Sequence, residues 1–207
     1  VKLEQTQDFK WTKISGKAVI LPDMITIPDA LIDSIKAFLS HGNKMIVLGP
    51  TGYYNEFEDC QFLNFPFKNE FSAEPKEIQT IGDRIKISSI DGNYRFDAYK
   101  ILGTIKNYSA TPICMDKGEI TGIRNKTGNS EVVWIPSDID IGAWMQGNQV
   151  LSNWLADELT AYSASQPFSF AYKTNNVVMQ TIHDGQNWLT VITNGSDTVN
   201  KVQLMNK

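Results

Sequence analysis

The most constraining feature of this chain is a strand–helix–strand signature early in its length. Lys17-Ala-Val-Ile-Leu-Pro22 is a short apolar run closed by Pro22-Asp23, and Lys44-Met-Ile-Val-Leu-Gly49 is a second of the same kind. Between them the stretch from Pro28 to His41 predicts a helix. Pro28 suits the first helical position, Asp29 complements the positive end of the helix, and Gly42 supplies a C-terminal cap. Leu31, Ile35 and Leu39 recur at four-residue spacing, with Ile32 and Phe38 widening the buried stripe. Two wholly apolar strands joined by one amphipathic helix form a βαβ unit. They imply a parallel sheet with helices on its faces.

Composition bounds what surrounds this unit. The 207 residues, 42% hydrophobic and 20% charged, can bury a real core as one large domain or one domain with a small appendage. With 19 Lys+Arg against 23 Asp+Glu the net charge is −4, and no basic stripe stands out. Nucleic acid and membrane are therefore not expected as partners. No apolar run approaches the roughly 20 residues of a membrane helix, and the first residues lack a signal-peptide pattern. The two cysteines, Cys60 and Cys114, exclude a disulfide framework and a Cys-rich zinc site. They could pair in an oxidising compartment; two buried free thiols are the simpler expectation. The sequons at Asn107, Asn125 and Asn194 are about what chance provides in an Asn-rich chain.

Residues 56–110 read as a packed insertion, with Phe57, Phe62, Phe65, Phe67 and Phe71 spread among Pro66 and Pro75. Within it Arg84-Ile-Lys-Ile-Ser88 alternates like a half-exposed strand. Turn chemistry at Asp116-Lys-Gly118 and Asn125-Lys-Thr-Gly128 then marks a meander ending in Glu131-Val-Val-Trp-Ile135. An amphipathic helix follows Gly147-Asn148, with Val150, Leu151, Trp154, Leu155 and Leu159 on one face. Beyond the polar linker Ser163-Ala-Ser-Gln166 the period changes to two, over Phe168–Tyr172, Val177–Ile182, Trp188–Ile192 and Val202–Leu204, separated by Asn175-Asn176, Asp184-Gly185 and Asn194-Gly195. The expected division is an α/β domain over 1–162 and a small antiparallel β domain over 163–207.

The loop after a parallel strand is where α/β folds bind ligands, so Gly49-Pro50-Thr51-Gly52 is the first place to look for chemistry. Pro50 removes a backbone donor and no Lys follows, which excludes a phosphate-binding Walker loop. A nucleophile elbow needs Ser or Cys with a His base. Only Thr51 stands there, and the two histidines, His41 and His183, read as a helix-end residue and a hairpin-turn residue. No catalytic residue, metal site or cofactor is assigned. Asp138 and Asp140 share one face if extended, and read better as acids leading from a strand to a helix start. For binding, the candidates are Thr51, Tyr53, Tyr54, Glu56 and Trp144, placed in loops at the carboxyl ends of parallel strands. Trp134 and Trp188 lie inside strand patterns and read as core.

Taken in order, Val19-Ile-Leu-Pro-Asp-Met24, the helix, His41-Gly-Asn-Lys-Met-Ile-Val-Leu-Gly-Pro-Thr-Gly52 and Val132-Val-Trp-Ile-Pro-Ser-Asp-Ile139 resemble a known module. It is the glutamine-amidotransferase-like "trimerisation" domain of family 42 β-galactosidases and related glycoside hydrolases. Trp188-Leu-Thr-Val-Ile-Thr-Asn194 resembles a strand of the small C-terminal β domain of those enzymes. The resemblance covers most of 15–204, leaving 56–110 unmatched. It implies a flavodoxin-like, class I amidotransferase-like parallel sheet with flanking helices and a small antiparallel β domain after it. It implies a non-catalytic accessory role, in oligomerisation or in shaping a substrate cleft. The sugar-cleaving carboxylates of family 42 belong to a preceding barrel, absent from this sequence. The expected partners are therefore a second copy, that barrel, or carbohydrate. Amidotransferase relatives would place a Cys near Thr51 and a His–Glu pair late in the domain, and neither is present. The first strand–helix pair of the module is also missing before Val19, as expected of a piece of a longer polypeptide or a divergent version of the fold. Two other readings stay open: a free-standing hydrolase built around Thr51, Tyr53 and Glu56, and a carbohydrate-binding module using Tyr53, Tyr54 or Trp144.

Overall fold

In a computed structural model, strand β1 (Ala18–Pro22) and strand β2 (Lys44–Leu48) run parallel in register, from Ala18 opposite Lys44 to Pro22 opposite Leu48. The structure describes residues 9–162, 168–171, 177–183, 188–195, 199 and 201–206. Helix α1 (Asp29–Ser40) joins the two strands. Pro28 sits one place earlier than the spacing predicts, as the N-cap with extended backbone (φ −60°, ψ 140°). Its missing N–H costs nothing there. His41 closes the helix and Gly42 follows at φ 77°, its N–H reaching Leu39 O at 3.0 Å. Ile35, Phe38 and Leu39 are buried. Trp11, on the 3₁₀ turn Trp11–Lys13, meets Phe38 edge-on at 5.6 Å.

After β2 come a short helix α2 (Lys68–Phe71), strands β3 (Ala73–Ser89), β4 (Arg95–Asn107), β5 (Thr111–Asp116), β6 (Glu119–Thr127) and β7 (Ser130–Ile135), then helices α3 (Ile139–Gln146) and α4 (Val150–Leu159). The seven strands form one open sheet in the order β1-β2-β7-β6-β5-β3-β4. Only β1, β2 and β7 are parallel. The remaining pairs are antiparallel: short turns join β5 to β6 at Lys117-Gly118, both at positive φ, and β6 to β7 at Gly128, while β5 pairs with β3 after the excursion through β4. The expected parallel sheet thus describes one half of the structure. The expected insertion over 56–110 holds the two longest strands. Pro75, Gly82 and register shifts at Pro75/Glu77 and Ile81/Ile85 break their periodicity, which hides them from a pattern reading.

Strand alternation divides the core. Met45 and Val47 face one side with Phe65, Phe71 and Trp134, and Phe65 stacks on Trp134 at 5.3 Å. Ile46 and Leu48 face the other with Phe96, Ile135 and Trp154. Burial on both faces is why these strands read as unbroken apolar runs. An ion network fastens α4: Lys44 Nζ meets Glu158 Oε2 at 2.6 Å and Glu131 Oε1 at 3.1 Å, and Arg124 pairs with both acids. Cys60 and Cys114 are both free thiols, and the expected burial is corrected at Cys60: Cys114 is buried inside β5, whereas Cys60 is exposed on the loop after β2.

The chain divides into two units, Val1–Leu159 and Thr160–Lys207. In the second, β9 (Val177–His183) pairs antiparallel with β10 (Trp188–Asn194), and β8 (Phe168–Phe170) with β11 (Leu204–Asn206). The last strand starts at Leu204, where the expected Val202–Leu204 run ends. The linker Ser163–Gln166 and the turns at Asn175-Asn176 and Asp184-Gly185 lie outside the described residues.

Candidate functional site

The carboxyl ends of β1, β2 and β7 bring together a group of acids that the sequence reading left apart. Asp23, directly after β1, adopts a left-handed backbone (φ 42°), its N–H donating to Leu48 O at 2.9 Å. Gly49, directly after β2, donates to Ile135 O at 2.9 Å. Because Gly49 has no side chain, the Asp23 carboxyl can lie over it and reach Asp138 and Asp140 beyond β7. Asp138 is only 4% exposed. Neither its Oδ1 nor that of Asp23 receives a hydrogen bond from an amide, hydroxyl or cation.

Burial pushes the Asp23 carboxyl up to about 8, aided by a hydrogen bond and charge repulsion from Asp140 and then by Asp138. Burial and the Asp140 charge push Asp138 up to about 6, against the Asp23 hydrogen bond and the charge of Lys100. Both shifts favour the protonated form above the ordinary carboxylate range. Among the described residues no group of three or more His, Cys, Asp or Glu is arranged to hold a metal ion. Two signals could have found the cluster: Pro22-Asp23 and Asp138-x-Asp140 each follow a strand of the parallel half.

The five sequence-derived candidates do not converge. Thr51 is buried, its Oγ1 donating to Leu48 O at 3.2 Å. Tyr53 is buried against Phe62 and Phe65, its hydroxyl without a hydrogen-bond partner and its ionisation pushed upward by burial. Tyr54 is at the margin of exposure, making isolated bridges to Thr26 and Cys60. Glu56 Oε2 accepts from Asp29 N at 2.8 Å, capping the first turn of α1. Trp144 lies on α3 and not in a loop, and is 83% exposed. The switch-point loop is therefore filled by its own side chains. Two placements are corrected: the Phe-rich stretch draws Tyr53 inward, and Trp144 stands on a helix, while Tyr54 and Glu56 are exposed in the loop after β2. Trp134 is core, as its strand pattern predicts. His41 Nδ1 meets Ala37 O at 2.6 Å, at the end of α1. Among the described residues no helix is long and apolar enough to cross a membrane.

No family model matches the sequence, and no curated protein matches it. Solved structures do match the fold. A β-galactosidase from Rahnella sp. R3 superposes with a TM-score of 0.75 at 16% identity, covering 91% of this chain and 28% of that one. Gan42B, a GH42 β-galactosidase, gives 0.72 at 15% identity over 92% of this chain and 28% of its own. The β-galactosidase from Bacillus circulans sp. alkalophilus gives 0.68 at 17% identity, over 86% and 27%. The chain thus shares a fold with part of these proteins and spans little more than a quarter of their length.

Proposed function

We propose that this chain is a non-catalytic, amidotransferase-like accessory region of a β-galactosidase-like glycoside hydrolase. The α/β part, over 1–162, serves self-association or shapes the substrate cleft of a separate catalytic barrel, and 163–207 form a small C-terminal β domain. One observation carries this reading: nearly the whole chain matches a region that is only 28% of a β-galactosidase. The filled switch-point loop supports it, because Thr51, Tyr53 and Glu56 are already committed to internal bonds and packing. That commitment also disfavours the free-standing hydrolase.

The test is an assay of the purified chain on a chromogenic aryl β-galactoside, with light scattering across a concentration series. No turnover and a mass that rises with concentration are expected. Turnover by the isolated chain, lost in none of its contaminant controls, overturns the proposal. A strict monomer at all concentrations removes the self-association role and leaves cleft shaping.

A further inference from the structure

The seven-stranded sheet ends in two edges that the structure treats differently. At the β4 edge the backbone is covered. Asp138 N donates to Ile101 O at 3.2 Å, Tyr99 N to Asp138 O at 3.2 Å, and Gly103 N to the Ser137 hydroxyl at 3.0 Å. At the other edge, among the described residues, β1 pairs with β2 alone. The bonds from Lys44 N to Lys17 O at 2.8 Å and from Asp23 N to Leu48 O at 2.9 Å set the phase of that ladder. Positions 17, 19, 21 and 23 therefore turn their backbone groups toward β2, and Ala18, Ile20 and Pro22 turn theirs outward. Among the described residues no hydrogen bond reaches the outward groups of Ala18 and Ile20.

An open edge is a template for a further strand, and proteins guard it with charge, bulges or proline. Ala18-Val-Ile-Leu-Pro22 holds no charge and pairs without a register shift, and its proline stands at the last position only. Ala18, Val19 and Ile20 are half-buried, whereas all of β2 is buried. The outward groups also fit a second copy of themselves. Ala18 and Ile20 each present a donor and an acceptor. With two copies antiparallel about a two-fold axis at Val19, Ala18 of one faces Ile20 of the other, and each such pair exchanges both N–H···O bonds. Val19 then meets its own counterpart as a non-hydrogen-bonded pair, where side chains approach closest, and its open apolar surface is covered. Lys17 of one copy, the nearest charge, faces Leu21 of the other, so no like charges are opposed. Shifting the axis to Ile20 sets Ala18 against Pro22, which has no N–H to return. This edge thus specifies its own register, and the partner that matches it is another β1.

We infer that the outward edge of β1 pairs with the β1 of a second copy of this chain, antiparallel and centred on Val19, so that two sheets continue as one. The inference rests on the self-association role proposed above and names its surface. The experiment is light scattering of the full chain across a concentration series, with amide hydrogen exchange followed by NMR on the same samples. A dimer is expected, half-formed at about 10 μM to 1 mM, as suits a small interface. The Ala18 and Ile20 amides are expected to exchange at least about tenfold more slowly at high concentration than in the dilute monomer. Ala18→Pro removes one outward donor at the first position of an edge strand, where proline is tolerated. It weakens dimerisation at least about fivefold with the fold intact by circular dichroism. Should that variant fail to fold, the exchange of the two amides in the wild-type chain decides. A dimer that Ala18→Pro leaves unweakened, or one in which both amides exchange as in the monomer, overturns this surface and leaves self-association standing. A limiting mass above the dimer overturns it too, because a two-fold pairing closes on itself. So does protection of both amides in the dilute monomer, which would mean that another segment of the chain covers the edge. A strict monomer at all concentrations overturns the inference together with the self-association role. Turnover of the aryl β-galactoside remains the separate test of the accessory reading.

Discussion

The carboxyl group of Asp23 rests on the backbone of Gly49: a Cβ at Gly49 would fall 1.5 Å from Asp23 Oδ1 and 2.6 Å from Cγ. This contact lets an acid at the end of β1 reach over the end of β2 to the acids beyond β7. The absence of a side chain at Gly49 is what leaves room for the Asp23 carboxyl.

Gly49→Ala should therefore be costly. Its φ of 70° is left-handed, which costs an L-residue about 1–2 kcal/mol. Displacement of Asp23 adds to this, for a total of about 2–4 kcal/mol by urea unfolding. Asp23→Gly removes the colliding carboxyl and relieves a second left-handed position, φ 42°. The double variant should recover the collision part, giving a coupling of about 1–2 kcal/mol in the cycle. Strict additivity would show that the two residues do not interact.

The acid cluster sets a pH dependence with a definite sign. Asp23 binds its proton up to about 8 in the folded chain, against 3.8 for the free side chain. Between those values the folded state holds more protons than the unfolded, so stability falls as pH rises. Asp138, held up to about 6, contributes in the same direction over a narrower window. Asp23→Asn keeps the hydrogen-bonding shape and tolerates a left-handed backbone. It should raise the melting temperature by a few degrees at pH 9, on the order of 1 kcal/mol after allowance for solvent screening. The gain should shrink toward zero as pH falls to 4. A gain that is constant with pH would rule out the raised proton affinity of this residue.

The ion network at the opposite ends of β2 and β7 should separate buried from exposed pairing. Lys44 is buried, with Nζ donating to Glu158 O at 2.9 Å as well as to its carboxylate. Lys44→Met leaves Glu158 with Arg124 alone and Glu131 with Arg124 and the exposed Lys126, and should cost about 2–4 kcal/mol in denaturant. Lys126 also pairs with Glu131, at 3.2 Å, but its side chain is mostly exposed. Lys126→Ala should cost less than about 0.5 kcal/mol. Comparable losses in the two variants would contradict this reading of burial.

The β1–α1–β2 unit was legible because β2 is buried throughout and β1 is apolar and half-buried beside it, whereas β7 read as the end of a meander and its parallel pairing with β2 did not show. The antiparallel half was less so. β3 is exposed along most of its length and bent by Pro75, so its Ile78, Ile81 and Ile85 do not keep one period. Of the candidate site, the location at the strand ends could be read, but not the side-chain fates. Whether Tyr53 points out or in depends on Phe62 and Phe65, which fold back from a loop with no periodic signal. Asp23 escaped notice because it meets Asp138 only across an intervening strand, a relation set by sheet order.

Gly142 gives a last prediction in which local preference and packing oppose each other. It lies inside α3, where Ala is favoured over Gly by about 1 kcal/mol. Propensity alone therefore expects Gly142→Ala to stabilise. Yet a Cβ there would fall 1.9 Å from the carbonyl oxygen of Asp97 on β4 and 2.6 Å from its carbon. That carbonyl belongs to backbone and cannot swing aside. The Asp97 side chain is held by Asn148 Nδ2 at 3.0 Å and Lys86 Nζ at 3.0 Å, which resists a shift of the strand. The substitution should therefore destabilise by about 2–4 kcal/mol net, lowering the melting temperature by roughly 5–15 °C. Met145→Ala, an exposed position on the same helix, should change it by little. A Gly142→Ala chain as stable as wild type would mean that α3 does not pack on β4 as closely as Gly142 permits.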